Sequence, residues 1–210
     1  MLIARRELVV GAAAVAGMSA ASAPKLIPTS PQDMGPFYPL LRPVDSDADL
    51  TRIKGRRGKA TGQPISVICR IVDLHGKPIR GARIDVWQAN AVGRYAHPGD
   101  RANPAALDPN FQGFGRLVAD HQGEFRFRSI KPAAYNTPIG RRTPHIHFSI
   151  DGRKERLVTQ MYFPGEPLNA RDPLLKAAAH RDSLVASAIG RSAGDPQALA
   201  YRWTIVLANG

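Results

Sequence analysis

Ile65-Ser66-Val67-Ile68-Cys69-Arg70-Ile71-Val72 decides the fold class. Ile65, Val67, Cys69 and Ile71 recur at every second position, and Ile68 and Val72 make the other face fairly apolar too. A period of two belongs to an extended strand, whose successive side chains leave on opposite faces. His75-Gly76-Lys77-Pro78 then supplies a turn, because glycine and proline take up the backbone angles that turns require. The same punctuation repeats outward. Ala82 to Gln88 reads as the next strand, with Ile84 and Val86 on one face, and Asp120-His121-Gln122-Gly123 as another turn. Phe125 and Phe127 alternate with Arg126 and Arg128, His145 to Ile150 alternates again, Val158 to Phe163 is apolar, and Trp203, Ile205 and Leu207 form a last period-two run. Only Pro173 to Ile189 predicts a helix, from Leu174, Leu175, Ala178 and Ala179 at helical spacing. The expectation is an all-β chain: an antiparallel β-sandwich with long loops and one short helix.

Composition agrees. The 210 residues contain 19 glycines and 18 prolines, a load that suits many turns and not a helical bundle. With 43% hydrophobic and 22% charged residues the chain is not wholly disordered. Cys69 is the sole cysteine, which excludes an intrachain disulfide framework and any multi-cysteine zinc site, and its apolar strand suggests a buried thiol. The net charge of +12 is read as spread along the chain, with no zinc-finger spacing or RNA-binding motif, so nucleic acid is not an expected partner.

Residues 1–23 read as an export signal. Arg5-Arg6 precede an apolar, small-residue run from Leu8 to Gly17, and Met18-Ser19-Ala20-Ala21-Ser22-Ala23 is a small-residue cleavage zone. The run is too short for a membrane anchor. Paired arginines before a modest hydrophobic segment resemble a twin-arginine signal, which predicts a periplasmic or secreted protein with no anchor after cleavage. Residues 24–62, rich in proline and polar residues, read as an extended N-terminal arm, and 63–210 as the β-sandwich domain. Within that domain Asn90 to Phe114 is the longest loop, and loops of that length are usually functional.

Thr143-Pro144-His145-Ile146-His147-Phe148 is the sharpest chemical feature. On a strand, His145 and His147 project side by side, where one metal ion could take both imidazoles, while Ile146 and Phe148 turn into the core. A His-x-His pair alone is equally a pair of packed rings, and no carboxylate neighbour completes a facial triad for ferrous iron. Asp151, the nearest acid, falls at the end of the strand. Tyrosine is the remaining oxygen donor in view. Of five tyrosines, Tyr95 lies early in the long loop and Tyr135 ten residues before His145. A phenol becomes an anionic hard ligand when a trivalent cation displaces its proton, although each tyrosine alone reads as well as a packed aromatic.

The stretch from Trp87 to Leu168 resembles the intradiol ring-cleavage dioxygenases, especially the protocatechuate 3,4-dioxygenase type. The resemblance rests on Trp87-Gln88-Ala89-Asn90, Gly93-Arg94-Tyr95, Leu107-Asp108-Pro109-Asn110-Phe111, Gly113-Phe114-Gly115-Arg116, Ile130-Lys131-Pro132, Pro144-His145-Ile146-His147-Phe148 and Thr159-Gln160-Met161-Tyr162-Phe163. Gly35-Pro36-Phe37-Tyr38 resembles the family's N-terminal segment. The resemblance implies one non-haem Fe(III) per chain held by Tyr95, Tyr135, His145 and His147, with Tyr95 and His145 equatorial and Tyr135 and His147 axial. It implies catalytic roles for Arg142, facing the substrate, for Gln160 beside it, and for Tyr135 as a base; which of Arg141 and Arg142 turns inward rests on the spacing to His145. It implies that a catechol-type 1,2-dihydroxybenzene is opened with O2, between its two hydroxyl-bearing carbons, to a cis,cis-muconate-type dicarboxylate. It also allows a homo-oligomer or a heteromer with a related chain. The loop from Tyr135 to His145 departs from the protocatechuate pattern: it is shorter, and Asn136-Thr137-Pro138 stands where an aromatic is expected. The long N-terminal helical segment of catechol 1,2-dioxygenases is also missing. The competing expectation is an exported transthyretin-like or immunoglobulin-like binding module without catalytic iron, which shares the strand pattern but has no reason to keep the four donors together.

Overall fold

The alternating run is strand β1 (Pro64–Asp73), in which Ile65, Val67, Cys69 and Ile71 are all buried. The computed structural model describes residues 25–209, so the reading of 1–23 as a signal lies outside the described residues. The other strands are β2 (Arg83–Trp87), β3 (Phe114–Val118), β4 (Glu124–Ile130), β5 (Tyr135–Thr137), β6 (Gly140–Arg142), β7 (His145–Asp151), β8 (Arg156–Tyr162), β9 (Ser187–Ser192) and β10 (Asp195–Leu207), with helix α1 (Pro173–Ala177) ahead of β9. Two four-stranded sheets, ordered β4-β1-β10-β9 and β3-β2-β7-β8, face each other, and β5 and β6 form a separate two-stranded ribbon.

The core fills the space between the sheets. β1, β4 and β10 contribute Val67, Ile71, Phe127, Trp203 and Ile205, and β2, β7 and β8 contribute Ile84, Val86, Ile146, Phe148 and Met161. The Phe148 ring meets Trp203 edge-on with centroids 5.0 Å apart. All strand pairs are antiparallel except β1 with β10, which run parallel from Ile65 opposite Leu199 to Asp73 opposite Leu207. A parallel neighbour needs a long crossover, and here the whole chain between the two strands supplies it.

The structure corrects the sequence reading in three places. The helix expected over Pro173 to Ile189 is five residues long. Asp172 caps it by accepting from the amides of Leu174 and Leu175, Pro173 occupies its first turn, and Ala178 is already extended. Arg181–Leu184 forms a short 3-10 turn, and Ser187 begins β9, which pairs with β10. A single apolar turn is too weak a helix nucleus to outlast competition from a sheet edge. Next, Phe114 ends no loop: it opens β3, whose pairing with β2 sets Arg116 opposite Asp85. Finally, the positive charge is not evenly spread, since Arg52, Lys54, Arg56, Arg57 and Lys59 all stand exposed on one loop.

Residues 25–62 contain no helix and a single β-bridge, Asp49 to Arg128, yet they are tied down along their length. The amides of Leu26, Thr29, Gln32 and Leu50 donate to the carbonyls of Leu74, Val206, Val158 and Arg128, and Leu50 is fully buried in the core. This segment crosses the outer face of the second sheet. Pleating puts Asp85 and Trp87 of β2, His145 and His147 of β7, and Gln160 and Tyr162 of β8 on that face, because their neighbours Val86, Ile146 and Met161 point into the core.

Candidate metal centre

β7 and β8 pair so that His145 lies opposite Tyr162 and His147 opposite Gln160. The two imidazoles converge, with Nε2 atoms 3.2 Å apart. His145 Nδ1 lies 2.6 Å from the Thr143 carbonyl, which fixes Nδ1 as the protonated nitrogen and turns the Nε2 lone pair inward. His147 stacks on Trp87 with centroids 5.0 Å apart and planes 11° from parallel, and its Nδ1 is buried without a partner among the described residues.

The long loop brings Tyr95 to this pair. Asn90 turns the chain by accepting from the amides of Val92 and Arg94, and Asp100 accepts from the Tyr95 amide at 2.7 Å. Gly93 has φ +78°, and a Cβ there would come within 2.9 Å of the Ala134 carbonyl, so glycine permits the loop to close on the segment that carries Tyr135. In the β5–β6 ribbon Tyr135 pairs with Arg142. The Tyr135 hydroxyl lies 3.3 Å from that of Tyr95 and 3.2 Å from His145 Nε2. All four residues named from the sequence as ligands therefore gather at one point.

The donor set suits a hard trivalent cation. Separations of 3.2–3.3 Å are those of donor atoms sharing one ion at about 2.0–2.2 Å. No group of three His, Cys, Asp or Glu side chains gathers as metal ligands among the described residues, so only the phenols can complete the histidine pair. Burial, followed by the positive charge of Arg142, holds the His145 imidazole well below its ordinary value; burial and then His145 do the same for His147. Both rings are thus neutral and available as ligands. Burial raises the Tyr95 and Tyr135 phenols, while Arg142 pulls both back down.

Arg142 is buried and Arg141 is exposed. Arg142 Nε donates to Asp172 Oδ2 at 2.8 Å, and its Nη2 donates to Gln160 Oε1 at 2.6 Å and to the Tyr162 hydroxyl at 3.0 Å. Gln160 is itself anchored through Nε2 to the Asp33 carbonyl. Asp172 escaped the sequence reading, and Tyr162 stood there only inside a resemblance motif with no role of its own. The only local sign of Asp172 was an Asp-Pro pair ahead of an apolar turn, and it lies thirty residues beyond its partner Arg142. The arm covers the site from above: a Cβ on Gly35 would sit 3.2 Å from His147 Cε1, and Phe37 packs on Tyr95 with centroids 4.5 Å apart. A cleft of about 390 Å³ opens on the Tyr95 and Trp87 side, with Phe37, Leu40 and His97 among its walls.

The buried neutral histidines set a pH dependence for the metal-free protein. An imidazole whose pKa is depressed in the fold takes up a proton near pH 6.5 only when the chain unfolds, so stability is full above that value and lost as pH falls. Two such groups steepen the loss to about 2.7 kcal/mol per pH unit. The urea midpoint of metal-free protein should drop between pH 6.5 and 5, and replacing both histidines with phenylalanine should flatten the profile. An unchanged profile would contradict the neutral, buried pair.

The sequence profile of the family described as Dioxygenase matches residues 34–209. The protocatechuate 3,4-dioxygenase beta chain of Burkholderia cepacia is 44% identical over 183 residues, covering 84% of this chain and 74% of that protein. An intradiol ring-cleavage dioxygenase of Aspergillus niger is 30% identical over 156 residues, covering 67% of this chain and 44% of its own length. The structure of hydroxyquinol 1,2-dioxygenase from Pseudomonas putida shares the fold, with a TM-score of 0.67 at 22% identity over 91% of this chain and 69% of that one. The chain belongs to the intradiol ring-cleavage dioxygenase family. The alternative of a binding module finds no support among these relatives.

Proposed function

We propose that this chain binds one ferric ion through Tyr95, Tyr135, His145 and His147 and uses O2 to open a catechol-type 1,2-dihydroxybenzene between its hydroxyl-bearing carbons. The observation that carries this reading is the convergence of two phenols and two neutral imidazoles at 3.2–3.3 Å. When bound, Fe(III) supplies the charge that acidifies the diol and accepts electron density from the ring. The reaction balances without a reductant: one ring bond breaks, each freed carbon gains one oxygen atom, and the product is a cis,cis-muconate-type dicarboxylate.

This chain's residues divide the remaining work. Tyr135 is partly exposed where Tyr95 is buried, so its ionised oxygen is the one placed to take a proton from a diol hydroxyl. Arg142, held by Asp172, Gln160 and Tyr162, keeps a fixed positive charge beside the phenols and stabilises negative charge developing there, a role worth about 3 kcal/mol. Phe37 gives the cleft beside Tyr95 an apolar wall for an aromatic ring, while Trp87, buried against His147, helps keep water from the donors. Iron-loaded protein should consume one O2 per catechol and yield the muconate-type product; no uptake with any of a panel of catechols, or cleavage beside the diol, would sink the reading.

The donor set is complete, so in an assembly of two chain types this chain is the metal-bearing one; the beta-chain relative supports such a heteromer, and a homo-oligomer is the other assembly open to it. Export by the twin-arginine route is also proposed, on Arg5-Arg6 and the small-residue zone up to Ala23. Replacing both arginines with lysine should leave the precursor in the cytoplasm, and unchanged export would assign the signal to the general secretory route.

A further inference from the structure

The outer face that holds the four donors carries at its other end a cavity of about 180 Å³ lined only by charged residues: Arg42, Arg83, Asp85, Arg116 and Asp151. The sheet register builds it. β2 supplies Arg83 and Asp85, β3 sets Arg116 opposite Asp85, and β7 sets Asp151 opposite Arg83. Arg42 arrives from the arm that also lays Gly35 on His147.

Both carboxylates are already engaged. Asp85 accepts from Arg116 Nε and Nη2 at 2.7 and 2.6 Å and from the Tyr38 hydroxyl at 2.7 Å. Asp151 lies 3.4 Å from Arg156 Nε. Arg42 and Arg83 make no ion pair among the described residues, so the cavity holds uncompensated positive charge. The guanidinium groups around so small a space repel one another, and the planar forks of Arg42 and Arg83, unlike that of Arg116, which Asp85 engages, are left to match the oxygens of a carboxylate or phosphate.

The cavity also communicates with the donors. Tyr38, bonded to Asp85, meets Trp87 edge-on at 4.9 Å, and Trp87 stacks on His147. Arg42 stands only four residues beyond Tyr38 and five beyond Phe37, which packs on Tyr95. An anion bridging Arg42 to Arg83 would therefore fasten this part of the arm at the end away from Gly35.

We propose that this cavity binds one small oxyanion, which joins Arg42 to Arg83 and so pins residues 35–42 over the donor cluster. The site needs no metal and no turnover to be seen. Inorganic phosphate, titrated calorimetrically into the full chain, should bind saturably at one per chain. Arg42→Gln and Arg83→Gln should each weaken it about tenfold or more, whereas Arg57→Gln, on the exposed basic loop, should not. Phosphate should slow amide hydrogen exchange across residues 35–42 in the wild type but not in Arg42→Gln. Because both variants remove like charge, their thermal midpoints without phosphate should be unchanged or higher, which separates a lost site from a lost fold.

Competition by cis,cis-muconate would identify a carboxylate ligand, and phosphate binding that muconate leaves unmoved would identify a phosphate ligand; both outcomes support the site. Non-saturating binding weakened equally by Arg57→Gln would mark an adventitious ion only and overturn it. Saturable binding with no slowing of exchange at 35–42 would overturn the pinning.

Discussion

His147→Ala is expected to cost the protein its metal as well as its activity. The ring is held on three sides, by Trp87 stacked flat at 5.0 Å, by Gly35 above Cε1, and by His145 with facing Nε2 atoms at 3.2 Å. Alanine leaves three donors, and no further His, Cys, Asp or Glu joins the pair in a metal-binding group among the described residues. Iron per chain after dialysis should fall well below one, and ring opening at saturating catechol should drop about 1,000-fold or more. Imidazole added to the medium should recover part of both, because the space the ring vacates is walled by Trp87. Stoichiometric iron and the wild-type rate in this variant would remove His147 from the site.

The second large effect lies one layer out. Asp172 is fully buried and accepts from Arg142 Nε, from the Thr143 amide and from two amides of α1. Asp172→Ala leaves Arg142 as a buried cation without its counter-charge and uncaps the helix, at a cost of about 3–5 kcal/mol. For a chain of this size that lowers the thermal midpoint by about 10 °C. Arg142→Ala should also destabilise, because it strands Asp172, so the variants are best compared as a double-mutant cycle in which the pair costs less than the sum. Arg142→Ala should separate from a purely structural change in its kinetics. Losing the fixed positive charge beside the donors should lower kcat more than it raises KM. Equal loss in kcat and in folded fraction would reduce Arg142 to a structural residue.

The strand faces were legible because pleating is a period-two property that the sequence carries residue by residue. Val67 and Phe148 face the core while His147 and Trp87 face out, as the alternation requires. His145 and His147 were legible as a pair for the same reason. Tyr95 and Tyr135 were legible only as tyrosines in suggestive places, each reading as well as a packed aromatic, since forty residues separate them and their meeting depends on Gly93 closing against Ala134; the family resemblance joined them to the histidines as one ligand set. The Asp172–Arg142 pair and the parallel β1–β10 ladder were illegible because each joins segments far apart in sequence with no local pattern. Helical spacing over a single turn misled at Pro173 to Ile189, where edge pairing with β10 won.

The visible absorption of the iron-loaded protein tests the central claim most directly. Two phenolate ligands on Fe(III) give a charge-transfer band in proportion to iron content, and anaerobic catechol should shift it as the diol reaches the ion. Tyr135→Phe should retain part of the iron with an altered band and bind catechol much more slowly, whereas Tyr95→Phe should lose band and iron together, because Tyr95 is the buried phenol. A colourless protein with one iron per chain, or a band unchanged in both tyrosine variants, would contradict the four-residue ferric site.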